Sequence, residues 1–129
     1  MLLGIDYGEK RIGLALAPEQ GPAVPWQIID FVGLDKTVKT LAEIVQEQQV
    51  SLIVIGMPTS LAGKLTERSA MTDQFVQSLK QAINLPVVLE DERMTSAIIT
   101  KATGESKNID AKSAAEILQT YLDRKNALH

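Results

Sequence analysis

Four acids stand where the patterning of this chain changes: Asp6, Asp91, Glu92 and Asp110. Asp6 closes the short apolar run Leu2-Leu3-Gly4-Ile5 and precedes a turn marked by Gly8, Lys10 and Arg11. Asp91 and Glu92 follow the run Pro86-Val87-Val88-Leu89-Glu90, and Asp110 opens a stretch with helical spacing. An acid at the end of a buried strand is costly unless something compensates its charge. Carboxylates gathered from distant segments also repel one another. Hard divalent cations relieve that repulsion, and Mg²⁺ prefers oxygen ligands while keeping several waters. Two such ions about 3.5–4 Å apart activate a water and stabilise the leaving oxygen in phosphodiester cleavage.

Simpler readings of each acid stay open. Asp6 is also a natural turn residue ahead of Gly8. Asp110 is also a natural N-cap, worth about 1 kcal/mol. Asp91 and Glu92 cannot both face the same side of an extended strand, and spacing leaves open which of them is structural.

Composition removes other chemistries. The chain has no cysteine, so thiolate catalysis and disulfides are excluded and an intracellular, cytoplasmic setting is expected. Its one histidine, His129, reads as a frayed end rather than a ligand. Catalysis must therefore run on carboxylates, hydroxyls, lysines or an oxygen-bound metal. The net charge of −3 and pI near 5.1 argue against a general nucleic-acid coat protein, although a local basic patch would still meet nucleic acid. No apolar run approaches the roughly 20 residues that span a bilayer, and Leu2-Leu3 gives way at once to Gly4 and Asp6, unlike a signal peptide. A single domain over residues 1–129 is expected from the length.

The elements that must position these acids follow from periodicity. Strands are expected at 2–5, 11–17 and 26–30, a three-stranded antiparallel meander. Asp35 reads as the N-cap of a helix ending near Gln48, with Val38, Leu41, Ala42 and Val45 on one face. The run Ser51-Leu52-Ile53-Val54-Ile55 reads as a buried parallel strand closed by Gly56-Met57-Pro58. A loop over 59–65 precedes a helix over 67–83 with Met71, Phe75, Leu79 and Ile83 in step. The strand at 86–90 leads to the charged cluster, then a short helix over 95–103 stopped by Gly104. The last helix starts near Asp110 and buries Ala111, Ala114, Ala115, Leu118 and Leu122. Three antiparallel strands followed by βα units imply a mixed five-stranded sheet with helices on both faces. The carboxyl ends of the first, fourth and fifth strands then share one rim, where open α/β sheets bind ligands.

Cations cluster near the acids. Lys10 and Arg11 follow Asp6, and Arg93 follows Glu92, where its fork suits either Asp91 or a phosphate. Lys64, Arg68, Lys101, Lys107 and Lys112 are more scattered. Thr95 and Ser96 cap the short helix or hold a phosphate. Tyr7 either stacks on a base or covers the end of the sheet; the few aromatics form no stacking array.

These blocks resemble the YqgF/RuvX family. Asp6-Tyr7-Gly8-Glu9-Lys10-Arg11-Ile12-Gly13 is similar to its opening signature, and Ile53-Val54-Ile55-Gly56-Met57-Pro58 to its second block. Asp91-Glu92-Arg93-Met94-Thr95-Ser96 resembles the third, and Ile109-Asp110 with Ala114-Ala115 and Ile117-Leu118-Gln119 the last. The blocks come in the family's order over nearly the whole chain. The loop Thr59-Ser60-Leu61-Ala62-Gly63 departs from the Asn and acid usual there.

The resemblance implies an RNase H-like α/β fold and a metal-dependent nuclease that matures the 5′ end of pre-16S rRNA. It implies Asp6, Glu92 and Asp110 as catalytic metal ligands for Mg²⁺ or Mn²⁺, and this is what selects Glu92 over Asp91. Lys10, Arg11, Arg93 and Thr95 are then the candidates for substrate binding. The expected partner is structured RNA, with no membrane, and the protein is a monomer or weak homodimer. An alternative substrate is a four-way DNA junction, whose resolution needs a symmetric dimer. A non-catalytic ribosome-assembly module is a third reading. The sugar-kinase fold also opens with Asp-x-Gly before a hairpin, but it needs two such domains.

Overall fold

A computed structural model of the chain describes residues 1–8, 10–57, 67–91 and 111–127. The elements are β1 (Leu2–Asp6), β2 (Arg11–Ala17), β3 (Val24–Asp30), α1 (Leu34–Glu47), β4 (Leu52–Met57), α2 (Glu67–Ala82), β5 (Val87–Asp91) and α3 (Ala111–Ala127). They form a five-stranded sheet in the order β3-β2-β1-β4-β5. β1 pairs antiparallel with β2 and β2 with β3, whereas β1–β4 and β4–β5 are parallel. The expected mixed sheet with helices on both faces is therefore the observed one. The expected short helix at 95–103 and the loop at 59–65 lie outside the described residues.

Strand alternation divides the sheet into two unlike faces. Leu3, Ile5, Tyr7, Ile12, Leu14, Ile53 and Ile55 pack with Val38, Leu41, Phe75 and Leu79 of α1 and α2. The opposite face is built from Leu2, Gly4, Gly13, Ala15, Ala17, Val54 and Gly56, and it receives Ala114, Ala115 and Leu118 of α3. Bulky residues hold the first pair of helices at ordinary distance. Small residues let α3 come down close to the strands. A Cβ on Gly4 would lie 2.8 Å from the Ala114 carbonyl oxygen and 2.9 Å from Leu118 Cβ. α3 touches all five strands, so this one helix braces the whole sheet.

Of the boundaries that differ from the sequence reading, three do so for identifiable reasons. α1 begins at Leu34, and its N-cap is Gly33 rather than Asp35. Gly33 has φ 102° and ψ 152°, a conformation that L side chains rarely adopt. Asp35 lies instead in the first turn, where its charge favours the helix dipole. β3 starts at Val24 and includes Pro25, tolerated because β3 is an edge strand with a register shift opposite Leu14 and Ala15. β4 continues through Gly56 to Met57, because β5 carries its pairing forward to Asp91.

The contact between Gly4 and α3 gives the first prediction. Gly4→Ala should lower stability by about 1–3 kcal/mol, because the new methyl meets backbone that cannot rotate away. Urea unfolding should show a lower midpoint; an unchanged midpoint would contradict the close approach.

Candidate active site

Asp6 is the last residue of β1, the central strand, and is 5% exposed. Its place on the sheet is set by its neighbours. Leu2 and Gly4 face α3, so Asp6 faces α3 as well. Ala114, in the first turn of that helix, lies over Gly4, two residues before Asp6 on the same face. β1, β4 and β5 are parallel, so Asp6, Met57 and Asp91 end at one rim, as the topology predicts.

Arg11 stands on the same face as Asp6, since Ile12 points to the other one and Gly13 pairs with Asp6. It is exposed, as is Lys10. Both lie at the start of β2 beside the rim. In register Arg11 stands across from Asp30 of β3. The backbone here is fixed by the Phe31 amide, which donates to the Lys10 carbonyl at 2.8 Å.

Tyr7 resolves in favour of the structural reading. It is 4% exposed, stacked on Phe75 of α2 with ring centroids 4.7 Å apart, and edge-on to Phe31 at 5.7 Å. No ring face remains for a base. Its function is to anchor the residue after Asp6 into the core, which restrains the carboxylate through the backbone.

Of the expected site residues, Asp6, Lys10 and Arg11 are brought to one rim. Glu92, Arg93, Thr95 and Asp110 lie outside the described residues. Among the described residues no group of three or more His, Cys, Asp or Glu could hold a metal ion. Asp6 itself offers the hard oxygen donor that Mg²⁺ takes, held almost out of water. That is the donor type the expected cation requires, and so the residue fits.

One buried acid was not singled out by sequence reasoning. Glu90 of β5 is wholly buried, and Arg124 of α3 donates from Nη2 to its Oε2 at 2.6 Å. Ile5 pairs with Ile55, and Ile55 with Leu89. Asp6 and Glu90 thus occupy the next row, on the same face, two strands apart or roughly 10 Å. Gly56 pairs with Glu90 and puts no side chain between them. The signal was present in the alternation of β5: Val88 packs toward α3 while Leu89 is 42% exposed, so Glu90 had to turn inward and find a cation.

The family model described as RuvX, Holliday junction resolvase, matches residues 1–124. The chain belongs to this family. A Rickettsia akari protein named "Putative pre-16S rRNA nuclease" is 35% identical over 131 residues, covering 95% of this chain and 85% of that protein. A Maridesulfovibrio salexigens protein of the same name is 36% identical over 132 residues, covering 95% of this chain and 98% of that protein. Among solved structures, T. thermophilus RuvC in complex with a Holliday junction substrate superposes with a TM-score of 0.65 at 11% identity, covering 97% of this chain and 94% of that one. The likeness establishes the RNase H-like fold of this RuvX family member. No helix among the described residues is long and apolar enough to cross a membrane.

The ion pair between buried Glu90 and half-exposed Arg124 sets the second prediction. Arg124→Met leaves the Glu90 carboxylate buried without its counter-charge, which should cost about 3 kcal/mol. Thermal unfolding should register the loss, and Glu90→Leu in the same chain should recover most of it. Equal melting temperatures for the wild type and Arg124→Met would refute this account of the pair.

Proposed function

We propose that this protein is a divalent-metal-dependent nuclease that hydrolyses a phosphodiester bond of structured RNA, at the 5′ end of pre-16S rRNA. The observation that carries the reading is a carboxylate, Asp6, buried at the carboxyl end of the central strand on a rim shared with the ends of β4 and β5. The substrate comes from the name carried by relatives about 35% identical over most of the chain.

In this reading Asp6, Glu92 and Asp110 hold Mg²⁺ or Mn²⁺. The choice of Glu92 over Asp91 rests on the family resemblance. When bound, a pair of such cations neutralises the phosphate and lowers the cost of deprotonating the attacking water. The protein's own residues do the rest. Asp6, fixed by strand pairing and by the buried Tyr7 next to it, is preorganised and loses little freedom on loading. Lys10, Arg11, Arg93 and Thr95 bind the nucleic-acid backbone, which confers affinity without reading sequence. Binding through phosphates should weaken as salt rises.

A second reading keeps the chemistry and changes the substrate to a four-way DNA junction. The family description and the RuvC-like fold favour it.

Purified protein and its Asp6→Asn variant should be incubated with a pre-rRNA 5′ fragment and with a four-way junction, each with and without Mg²⁺ or Mn²⁺. Metal-dependent cleavage of the RNA by the wild type is expected, together with its loss in an Asp6→Asn protein that retains the wild-type circular dichroism spectrum. Cleavage confined to the junction would favour the second reading. Undiminished cleavage by Asp6→Asn would sink the site assignment, and absence of both cleavage and metal binding would favour a non-catalytic assembly module.

A further inference from the structure

Among the described residues β5 is an edge strand, paired with β4 alone. Within the described sheet its carboxyl end therefore has backbone support from one side. The Glu90–Arg124 pair supplies support from another direction, out of the sheet and into α3. The carboxylate is fully enclosed, so it holds to its counter-charge rather than exchanging it for water. Arg124 remains 54% exposed, so its own desolvation is modest. The guanidinium keeps its charge at any physiological pH.

The two elements joined by this pair are the two that lead to the remaining proposed ligands. Glu92 lies two residues beyond Glu90, and Asp110 immediately precedes Ala111, the first residue of α3. Any slip of the β5 end against α3 shifts Asp91 relative to Ala111, the described ends of the two elements, with Asp6 fixed on the central strand. We propose that Arg124 is a positioning residue: through Glu90 it fixes the end of β5 against α3 and so sets the spacing of the metal ligands. The inference rests on reading Asp6, Glu92 and Asp110 as a metal site.

Charge alone predicts the opposite sign. Removing Arg124 uncovers an extra carboxylate in the row of Asp6, which would attract a cation more strongly. Positioning predicts weaker binding, because partners that orient ligands are typically worth about 10–100-fold in metal affinity.

The test is calorimetric titration of Mn²⁺ into the wild type, Asp6→Asn, Arg124→Met, Arg124→Lys and the double variant Glu90→Gln/Arg124→Met. It is run at a temperature where circular dichroism shows each to be fully folded. The double variant leaves no unpaired charge at position 90 and so guards against a simple failure to fold. Arg124→Met and the double variant are expected to bind Mn²⁺ about tenfold or more weakly. Arg124→Lys, which keeps the charge, should recover most of the affinity. If the wild type binds Mn²⁺ and Asp6→Asn does not, but both Arg124→Met chains bind as tightly as the wild type or more so, the positioning role alone is overturned. If the wild type takes up no Mn²⁺, the metal-site reading falls and this inference with it.

Discussion

The constraint on which this structure turns is the closeness of α3 to the central strands. Gly4, Gly13, Ala15, Ala17 and Gly56 clear one face of the sheet, and Ala114 and Ala115 clear the facing helix. The resulting approach is tight enough that one methyl on Gly4 would strike backbone. Asp6 lies on the same face two residues on and is 5% exposed, in a site of low effective dielectric. There the carboxylate's charge counts for more than at a surface. The other face shows the contrast. There Leu3, Ile5, Leu14, Ile53 and Ile55 build an ordinary core under α1 and α2 whose work is stability.

That division of labour lets one fold hold several charges without collapse of its core. Asp6 and Glu90 share the face of α3, in one row, and each is answered differently. Glu90 is closed by Arg124 within the protein. Asp6 stands at the rim with Lys10 and Arg11 close by in the chain, at the edge where a phosphate backbone would approach. Tyr7, wedged between Phe75 and Phe31, ties this rim to the stable core on the far side. The acid is thus braced from both faces of the sheet.

Much of this was legible in the residues. The short apolar run Leu2-Leu3-Gly4-Ile5 and the helical stripe Phe75-Leu79-Ile83 predicted strand and helix, and the order of elements predicted the sheet topology, since parallel β1, β4 and β5 must end at one rim. Asp6 was legible because an acid closing an apolar strand has few inexpensive explanations. The start of α1 was not, because Asp35 is a good cap by type while Gly33 won through a backbone angle that no side-chain rule displays. Tyr7 stayed open until its ring contacts, made with residues far along the chain, were in view. The Glu90–Arg124 pair was hidden for a related reason. Its members are 34 positions apart, and nothing local in the sequence ties Glu90 to Arg124. Only the three-dimensional meeting of β5 and α3 gives the buried carboxylate its cation.

The central claim is that Asp6 anchors a cation at this rim, and paramagnetic broadening by Mn²⁺ in the amide spectrum of ¹⁵N-labelled protein tests it most directly. The account predicts that small additions of Mn²⁺ erase the signals of Ile5, Asp6, Tyr7 and Gly13 first, and that Asp6→Asn removes this local effect while the rest of the spectrum is preserved. Broadening centred on the exposed acids of α1, or an identical pattern in Asp6→Asn, would contradict it.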